Sequence, residues 1–491
     1  MKRYIFTLMP LLMMNLAYPQ ESQDLDLALA DGDFFFLDED YSEALFNYLK
    51  LIDTDFMNDN IKFKIGYCYL NILGEEYKAI PFLEEAVQNT TSKYKRRSSE
   101  ETRAPLHAYF HLAQAYHINN ELDKALETYN LFKELPEFED NYNLTIVDNE
   151  IKACEKAKII EDIPLNIRVQ NIGEPVNTGR NNYNPVINRD ESFLVYVSEL
   201  AFYDGIFTSK RTGGIWSEPE NITPQIESDG DVIPTSISAD GKEIYLVKGE
   251  GNNRDIHITR LGTDFWSRLE PLNENINSGR AESHASVSPD GQTLYFSSNR
   301  RGSIGGMDIW KSERTSSGDW GPAVNLGPEI NTEYDEEAPF ISQDGKILYF
   351  CSRGHYNMGN FDIFYSENPD GNEWSVPTNI GFPINTTGDD LFYAPIGDGN
   401  IGYMARIRPE GLGGTDIYRY EILPEDEESV AEFEGIIDRK GMEFRSDKDF
   451  EIKITDKFTN TVVAVIRYNK ETGEFQYITH SGNYSFTIEE R

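Results

Sequence analysis

Cysteine is nearly absent, three residues in a chain of 491. Cys68 and Cys154 fall in helical patterns and Cys351 in a strand pattern, which is no disulfide framework. Buried free thiols are the expectation, with a Cys68–Cys154 bridge as the alternative that export would permit. Basic residues are also scarce, 45 Lys and Arg against 84 Asp and Glu, a formal net charge of −39. Phosphate binding needs a basic surface, so nucleic acid is excluded as a partner. The same balance limits any membrane association to a peripheral one, since charge alone will not dock this chain on anionic lipid. Long apolar runs are missing apart from Tyr4 to Leu16, which follows Lys2 and Arg3. That run is too short to span a bilayer and has the layout of a secretory signal peptide, assigned to residues 1–19 with cleavage between Ala17 and Gln20. No cysteine adjoins that boundary, so no lipid-attachment site is expected. Phosphate-cradling glycine loops, His-Glu-x-x-His, Gly-x-Ser-x-Gly and Cys-x-x-Cys are all absent, and neither a cofactor nor a metal centre is expected.

What is abundant is repetition. Turn aspartates recur at Asp190, Asp240, Asp290, Asp344 and Asp398, with spacings of 50, 50, 54 and 54. The clearest copy runs Ser288-Pro289-Asp290-Gly291, then Leu294-Tyr295-Phe296, then Asp308-Ile309-Trp310 and Asp319-Trp320. A hairpin turn, an alternating strand, an Asp-Ile strand and a tryptophan segment make four short strands per period, the pattern of a β-propeller blade. Five copies predict a five-bladed propeller over residues 164–423. The fifth copy lacks the Trp/Asn tail after Asp416, whereas Asn171-Ile172 leads to Asn177 in the same register as Asn379-Ile380 leads to Asn385. Leu165–Ile172 is therefore expected to supply the outer strand of the last blade, closing the ring and removing its open edges.

The flanks differ. Residues 24–160 read as paired helices, with small residues where helices cross: Ala28, Gly32 and Ala44, then Gly66, Ala79 and Ala86, then Ala113 and Ala125. Ala44 and Ala79 are 35 apart, close to a tetratricopeptide period, and a partly basic insertion from Asn89 to Pro105 is read as an exposed loop. A helix from Leu144 to Ile160 caps the stack, which would offer a groove to a peptide or helix. Residues 430–491 alternate short β-runs with polar turns, as in a small, incomplete β-sandwich. The fold class expected is thus multidomain: an α-helical tetratricopeptide-type solenoid, an all-β five-bladed propeller and a small β-sandwich.

The Ser-Pro-Asp-Gly…Leu-Tyr-Phe…Asp-Ile-Trp pattern is similar to the WD40-like repeats of TolB-type propellers, and the C-terminal segment resembles carboxypeptidase regulatory-like domains. The order of signal peptide, helical repeats, propeller and sandwich resembles envelope proteins of the type IX secretion and gliding machinery. That family commonly continues into a peptidoglycan-gripping OmpA-like domain, which is not in this sequence. The resemblance implies a non-enzymatic periplasmic scaffold at the outer membrane, with envelope or outer-membrane proteins as partners.

Eight residues before each turn aspartate stand Asn182, Val232, Glu282, Glu336 and Asp390, with Asp231, Glu337 and Asp389 beside them. First strands line a propeller's channel, so Asp231, Glu282, Glu336 and Asp390 form a candidate ligand site at its mouth. Three readings follow. The acids cap turns and solvate the funnel; or they converge on a glycan or divalent cation; or two of them serve as the acid and the nucleophile or base of a glycosidase. No residue is assigned as catalytic. His284 lies near Glu282, and His107 and His111 stand four apart on a helix, yet no third metal ligand is evident. Residues repeated in every blade, the turn aspartates, the Asp308 type and the tryptophans, are expected to be architectural.

Overall fold

The computed structural model describes residues 20–96, 100–249, 251–371, 373–397, 399–424, 430–436, 450–457, 462–466, 474–480 and 484–490. The signal peptide, Arg97 of the insertion, turn Asp398, the acidic stretch 425–429 and the C-terminal turns at 472–473 and 481–483 lie outside them. The chain divides into two compact units, the first ending at Asn149 and the second beginning at Glu150.

In the first unit, helices Gln20–Leu37 and Tyr41–Leu49, Asp59–Leu70 and Ala79–Ala86, and Ala108–Ile118 and Leu122–Lys133 pack as successive pairs. The Asp40 and Asn58 side chains cap the second and third helices by accepting the N–H of Glu43 and of Ile61, each at 3.1 Å. The small residues sit where close approach demands them. A Cβ on Gly32 would lie 2.8 Å from the Tyr48 ring, and one on Gly66 would lie 2.5 Å from Leu83. Ala44, Ala79, Ala86, Ala113 and Ala125 are all buried. The insertion keeps Lys93, Lys95 and Arg96 exposed, as expected of a surface loop, but it is also fastened to the helices. Tyr94 donates to Asn60 Oδ1 at 2.7 Å, Asn60 Nδ2 donates to Glu101 O at 3.0 Å, and Thr91 and Ala104 are buried.

An aromatic seam crosses this unit through Phe36, Tyr67, Phe63, His111 and His107 to Tyr142. Burial there pushes His107 down to about 4 and His111 down to about 3, so both are neutral at pH 7. Cys68 lies buried nearby on the same helix as Tyr67, its thiol pushed up to about 12 by burial. All three cysteines are free and buried, so the Cys68–Cys154 alternative is not realised.

The second unit contains five successive antiparallel sheets. Their first strands are Asn182–Ile187, Val232–Ile237, Glu282–Val287, Glu336–Ile341 and Ala394–Ile396, and each pairs with a second strand that pairs with a third. The fourth position is a two-residue strand in the first four sheets, at Glu220–Asn221, Glu270–Pro271, Val324–Asn325 and Thr378–Asn379. In the fifth it is filled from upstream: Ile167–Asn171 pairs antiparallel with Asp416–Ile422, from Ile167 opposite Ile422 to Asn171 opposite Tyr418. The expected borrowed strand is therefore present. The apolar core lies between neighbouring sheets, and the fifth packs on the first through Ile396, Tyr403, Ile187 and Tyr196. Trp216, Trp266 and Trp320 are buried in such interfaces. The region is propeller-like. After it come a two-stranded pairing of Val430–Ile436 with Glu474–His480 and a three-stranded sheet ordered Val462–Ile466, Phe450–Asp456, Tyr484–Glu490.

The two buried histidines give a pH dependence. A histidine held below its unfolded value of about 6.5 contributes stability that is full above that value and declines as pH falls toward the folded value. Hydrogen exchange of helix Ala108–Ile118, corrected for intrinsic rates, should lose protection between pH 6.5 and 4, by at most ~1.4 kcal/mol per pH unit per histidine. His111→Phe should flatten the profile; an unchanged slope in that variant refutes the assignment.

Candidate functional site

In the acidic column Glu282 and Glu336 begin their first strands, and Asp390 stands four residues before Ala394–Ile396. Glu282, Glu336 and Asp390 are all 0 % exposed, as is Asn182 in the first sheet. Each carboxylate closes its own loop onto the residue four positions earlier. Glu282 accepts the Ser278 N–H at 2.9 Å and the Ser278 hydroxyl at 2.6 Å. Glu336 accepts the Thr332 N–H at 2.8 Å and its hydroxyl at 2.6 Å. Asp390 accepts the same two groups of Thr386, the N–H at 2.5 Å. Further bonds come from the second strand or the loop just after it: Ser298 and Arg300 for Glu282, Ser352 for Glu336, and Arg406 for Asp390. Burial pushes Asp390 up to about 6, against the opposing charge of Arg406, and raises Glu336.

Three of the four candidate residues are thus withdrawn from solvent and satisfied internally, and they do not form an open ring of carboxylates. Asp231 differs. Its side chain is 38 % exposed and pairs with Lys248 at 3.4 Å. Asp389 accepts the Phe361 N–H, tying one sheet's third-strand approach to the next sheet's first strand; Asp335 does the same for Met307. The signal that sequence reading missed is the Ser/Thr four residues before each acid: Ser278, Thr332 and Thr386. Hydroxyl and acid recur together, as a capping pair requires.

Two residues further on, the first strands break their ladders around a shared cavity. Pairing slips between Tyr183 and Val186, between Ser283 and Ala285, and between Glu337 and Phe340. Asn184, His284 and Ala338 adopt positive φ of 47°, 38° and 50° at these breaks, and Phe392, just before the fifth first strand, has φ 61°. All five sheets contribute to the cavity wall, which includes Asn184, Pro234, His284, Ala338 and Phe392. His284 does not pair with Glu282. Its Nδ1 lies 3.1 Å from Glu337 Oε2 on the next sheet, and its ring lies 4.8 Å from that of Phe392. Ser283 donates to the same carboxylate oxygen at 2.7 Å. Burial disfavours the Glu337 charge, but His284, Ser283 and nearby Arg254 outweigh it and hold the group down at about 2. The cavity leaves about 30 Å³ for the centres of water-sized molecules, room for about two waters and not for a sugar ring. Among the described residues no group of three or more His, Cys, Asp or Glu is placed to hold a metal ion.

No protein-family model matches this chain, and no curated protein matches it. Solved structures do. TolB from Acinetobacter baumannii is 17% identical with a TM-score of 0.35, over 49% of this chain and 54% of that one, so this chain spans about half the length of that TolB. A thermostable family-43 glycoside hydrolase is 15% identical with a TM-score of 0.35, over 52% of this chain and 93% of its own. The first TPR of Spaghetti (RPAP3), bound to an HSP90 peptide, is 21% identical with a TM-score of 0.21, over 28% of this chain and 97% of its own. Structures with a TolB-type propeller and with a tetratricopeptide domain are thus among those the chain resembles. At TM-scores this low the likenesses decide nothing about chemistry or partners.

The capping geometry separates the acids by substitution. Glu282→Gln leaves Arg300, 11 % exposed, without its carboxylate, and should cost about 1–3 kcal/mol of unfolding free energy in urea. Glu336→Gln replaces a group whose charge is already disfavoured and should cost less than about 1 kcal/mol. Equal costs would show that the Arg300 pairing is not what distinguishes the two. For Glu337→Gln the destabilisation should be full above the ordinary carboxylate range and fade as pH falls toward 2, because a depressed acid contributes only while ionised.

Proposed function

We propose that this protein is a non-enzymatic scaffold of the periplasm, associated with the outer membrane, that holds envelope proteins together in type IX secretion or envelope biogenesis. In this reading residues 1–19 are an export signal and residues 24–160 a tetratricopeptide-type solenoid. Residues 164–423 form a closed five-bladed propeller, and residues 430–491 a carboxypeptidase regulatory-like sandwich. The observation that carries it is the state of the acids. A glycosidase needs two free carboxylates facing one substrate bond, and a cation site needs convergent unpaired oxygens. Glu282, Glu336 and Asp390 offer neither, since both oxygens of each are engaged by serine, threonine or arginine, and none of the three lines the cavity walled by His284 and Phe392. What the fold leaves to partners is its outer surface.

Further support comes from the helical unit, whose exposed apolar side chains include Leu27, Phe34, Phe46 and Leu73. No helix among the described residues is long and apolar enough to cross a membrane. The place at the outer membrane rests on the order of the modules.

Affinity capture of the full chain from a cross-linked, solubilised envelope should bring down outer-membrane secretion components in stoichiometric amounts. Recovery of the free monomer alone overturns the scaffold reading. Calorimetry with Ca²⁺ and with cell-wall glycans should show no heat; binding that disappears in Asp231→Asn would instead establish the glycan or cation alternative.

A further inference from the structure

One turn breaks the repeat. The first-to-second strand turns read Ser238-Ala239-Asp240-Gly241, Ser288-Pro289-Asp290-Gly291 and Ser342-Gln343-Asp344-Gly345, but the first sheet has Asn188-Arg189-Asp190-Glu191. The three glycines have φ of 71°, 70° and 73°, and a Cβ at any of them would meet nothing within 4 Å. Glycine is favoured there by backbone angle alone. Glu191 adopts the same left-handed conformation, φ 55°, against the steric preference of an L residue.

The Glu191 carboxylate reaches across to the fifth sheet. Arg419, on that sheet's third strand, grips it with two bonds, Nε to Oε2 at 3.0 Å and Nη2 to Oε1 at 3.3 Å. Tyr403, on its second strand and fully buried, donates to Oε2 at 2.5 Å. Arg211, from the first sheet itself, donates to Oε2 at 3.0 Å. The chain of charges continues: Arg419 bonds Glu421 at 3.3 Å, and Glu421 accepts from Arg168 of the borrowed strand at 3.0 Å. Five charges of alternating sign, Arg211, Glu191, Arg419, Glu421 and Arg168, therefore run from the first sheet across the fifth to the strand that completes it. Glu191 and Arg419 are each 18 % exposed, where a two-pronged arginine–carboxylate contact is screened less than on an open surface.

We propose that Glu191 is a clasp: it occupies a glycine position so that its carboxylate can lock the first sheet to the fifth, the seam at which the borrowed strand is inserted. Beside the apolar packing of the two sheets, the seam then has both the backbone ladder of Ile167–Asn171 and a side-chain bridge, Glu191–Arg419, that does not use that strand. Loss of the ladder alone leaves the first and fifth sheets joined.

The test uses the full chain. Glu191→Gly restores the residue of the other turns and relieves the backbone. If Glu191 were merely tolerated there, this variant would exchange more slowly or unchanged. The clasp requires the opposite: amide exchange over Ile401–Arg406 and Asp416–Ile422 at least about tenfold faster than in the parent. Glu191→Gln keeps the bulk and the backbone demand while removing the charge, and should speed exchange at least about threefold even if the glycine variant fails to fold. Combined with Arg419→Gln, either variant should exchange no faster than the more affected single variant. Additive acceleration in that pair, or unchanged exchange in Glu191→Gln, overturns the proposal.

Discussion

The antiparallel pairing of Ile167–Asn171 with Asp416–Ile422 is the constraint on which the second unit rests. In the third, fourth and fifth sheets an outer-strand Asn donates to a buried Asp. Asn325 donates to Asp308 at 2.6 Å, and Asn379 donates to Asp362 at 2.7 Å. In the fifth sheet Asp416 accepts from the Leu412 N–H at 2.6 Å and from Asn171, at 2.8 Å, from 245 residues earlier in the chain. A second Asn then follows six positions on in each case: Asn331, Asn385 and Asn177 bond back to the first and accept the N–H of Ile309, Ile363 and Ile417. Without the borrowed strand, buried Asp416 would lose its side-chain donor, and such a loss costs more than the bond itself contributes. The outer edge of its sheet would also stand open to pairing with other chains.

The same economy explains the acids nearest the axis. A carboxylate at the start of a first strand sits beneath a loop with unpaired N–H groups, and a Ser or Thr four residues back completes the cap. Because both carboxylate oxygens serve that purpose in Glu282, Glu336 and Asp390, the interior holds little free negative charge despite the net −39 of the chain.

The repeat was the legible part of the sequence, because turn glycines, alternating apolar strands and the Asp/Asn pairs are local demands that each sheet imposes on its own residues. Even the borrowed strand could be read, since Asn171 and Asn177 keep the spacing of Asn379 and Asn385. The site was legible only in part. The column of Glu282, Glu336 and Asp390 was visible, but its burial was not, because exposure depends on which loop lies over a residue. The pairing of His284 with Glu337 joins residues 53 apart on different sheets, and no spacing along one strand encodes it. The insertion after Asn89 read as an exposed loop from its basic, polar composition. Tyr94 and the backbone of Glu101 nonetheless hold it to Asn60, a tie made by one aromatic and by main-chain groups that composition does not report.

Departures from the repeat sort by what compensates them. At Asn184, His284 and Ala338, left-handed backbone coincides with broken ladders around the cavity. At Glu191 it does not: the other turns show that glycine fits, so the strained residue is retained for its side chain. A carboxylate with four bonds from three arginine and tyrosine side chains, two of them on the neighbouring sheet, is what separates that position from its counterparts. In a repeat architecture the residues common to every unit build the unit. The residue that differs at an otherwise uniform position, and has gathered partners from elsewhere, marks where the units are joined into one body.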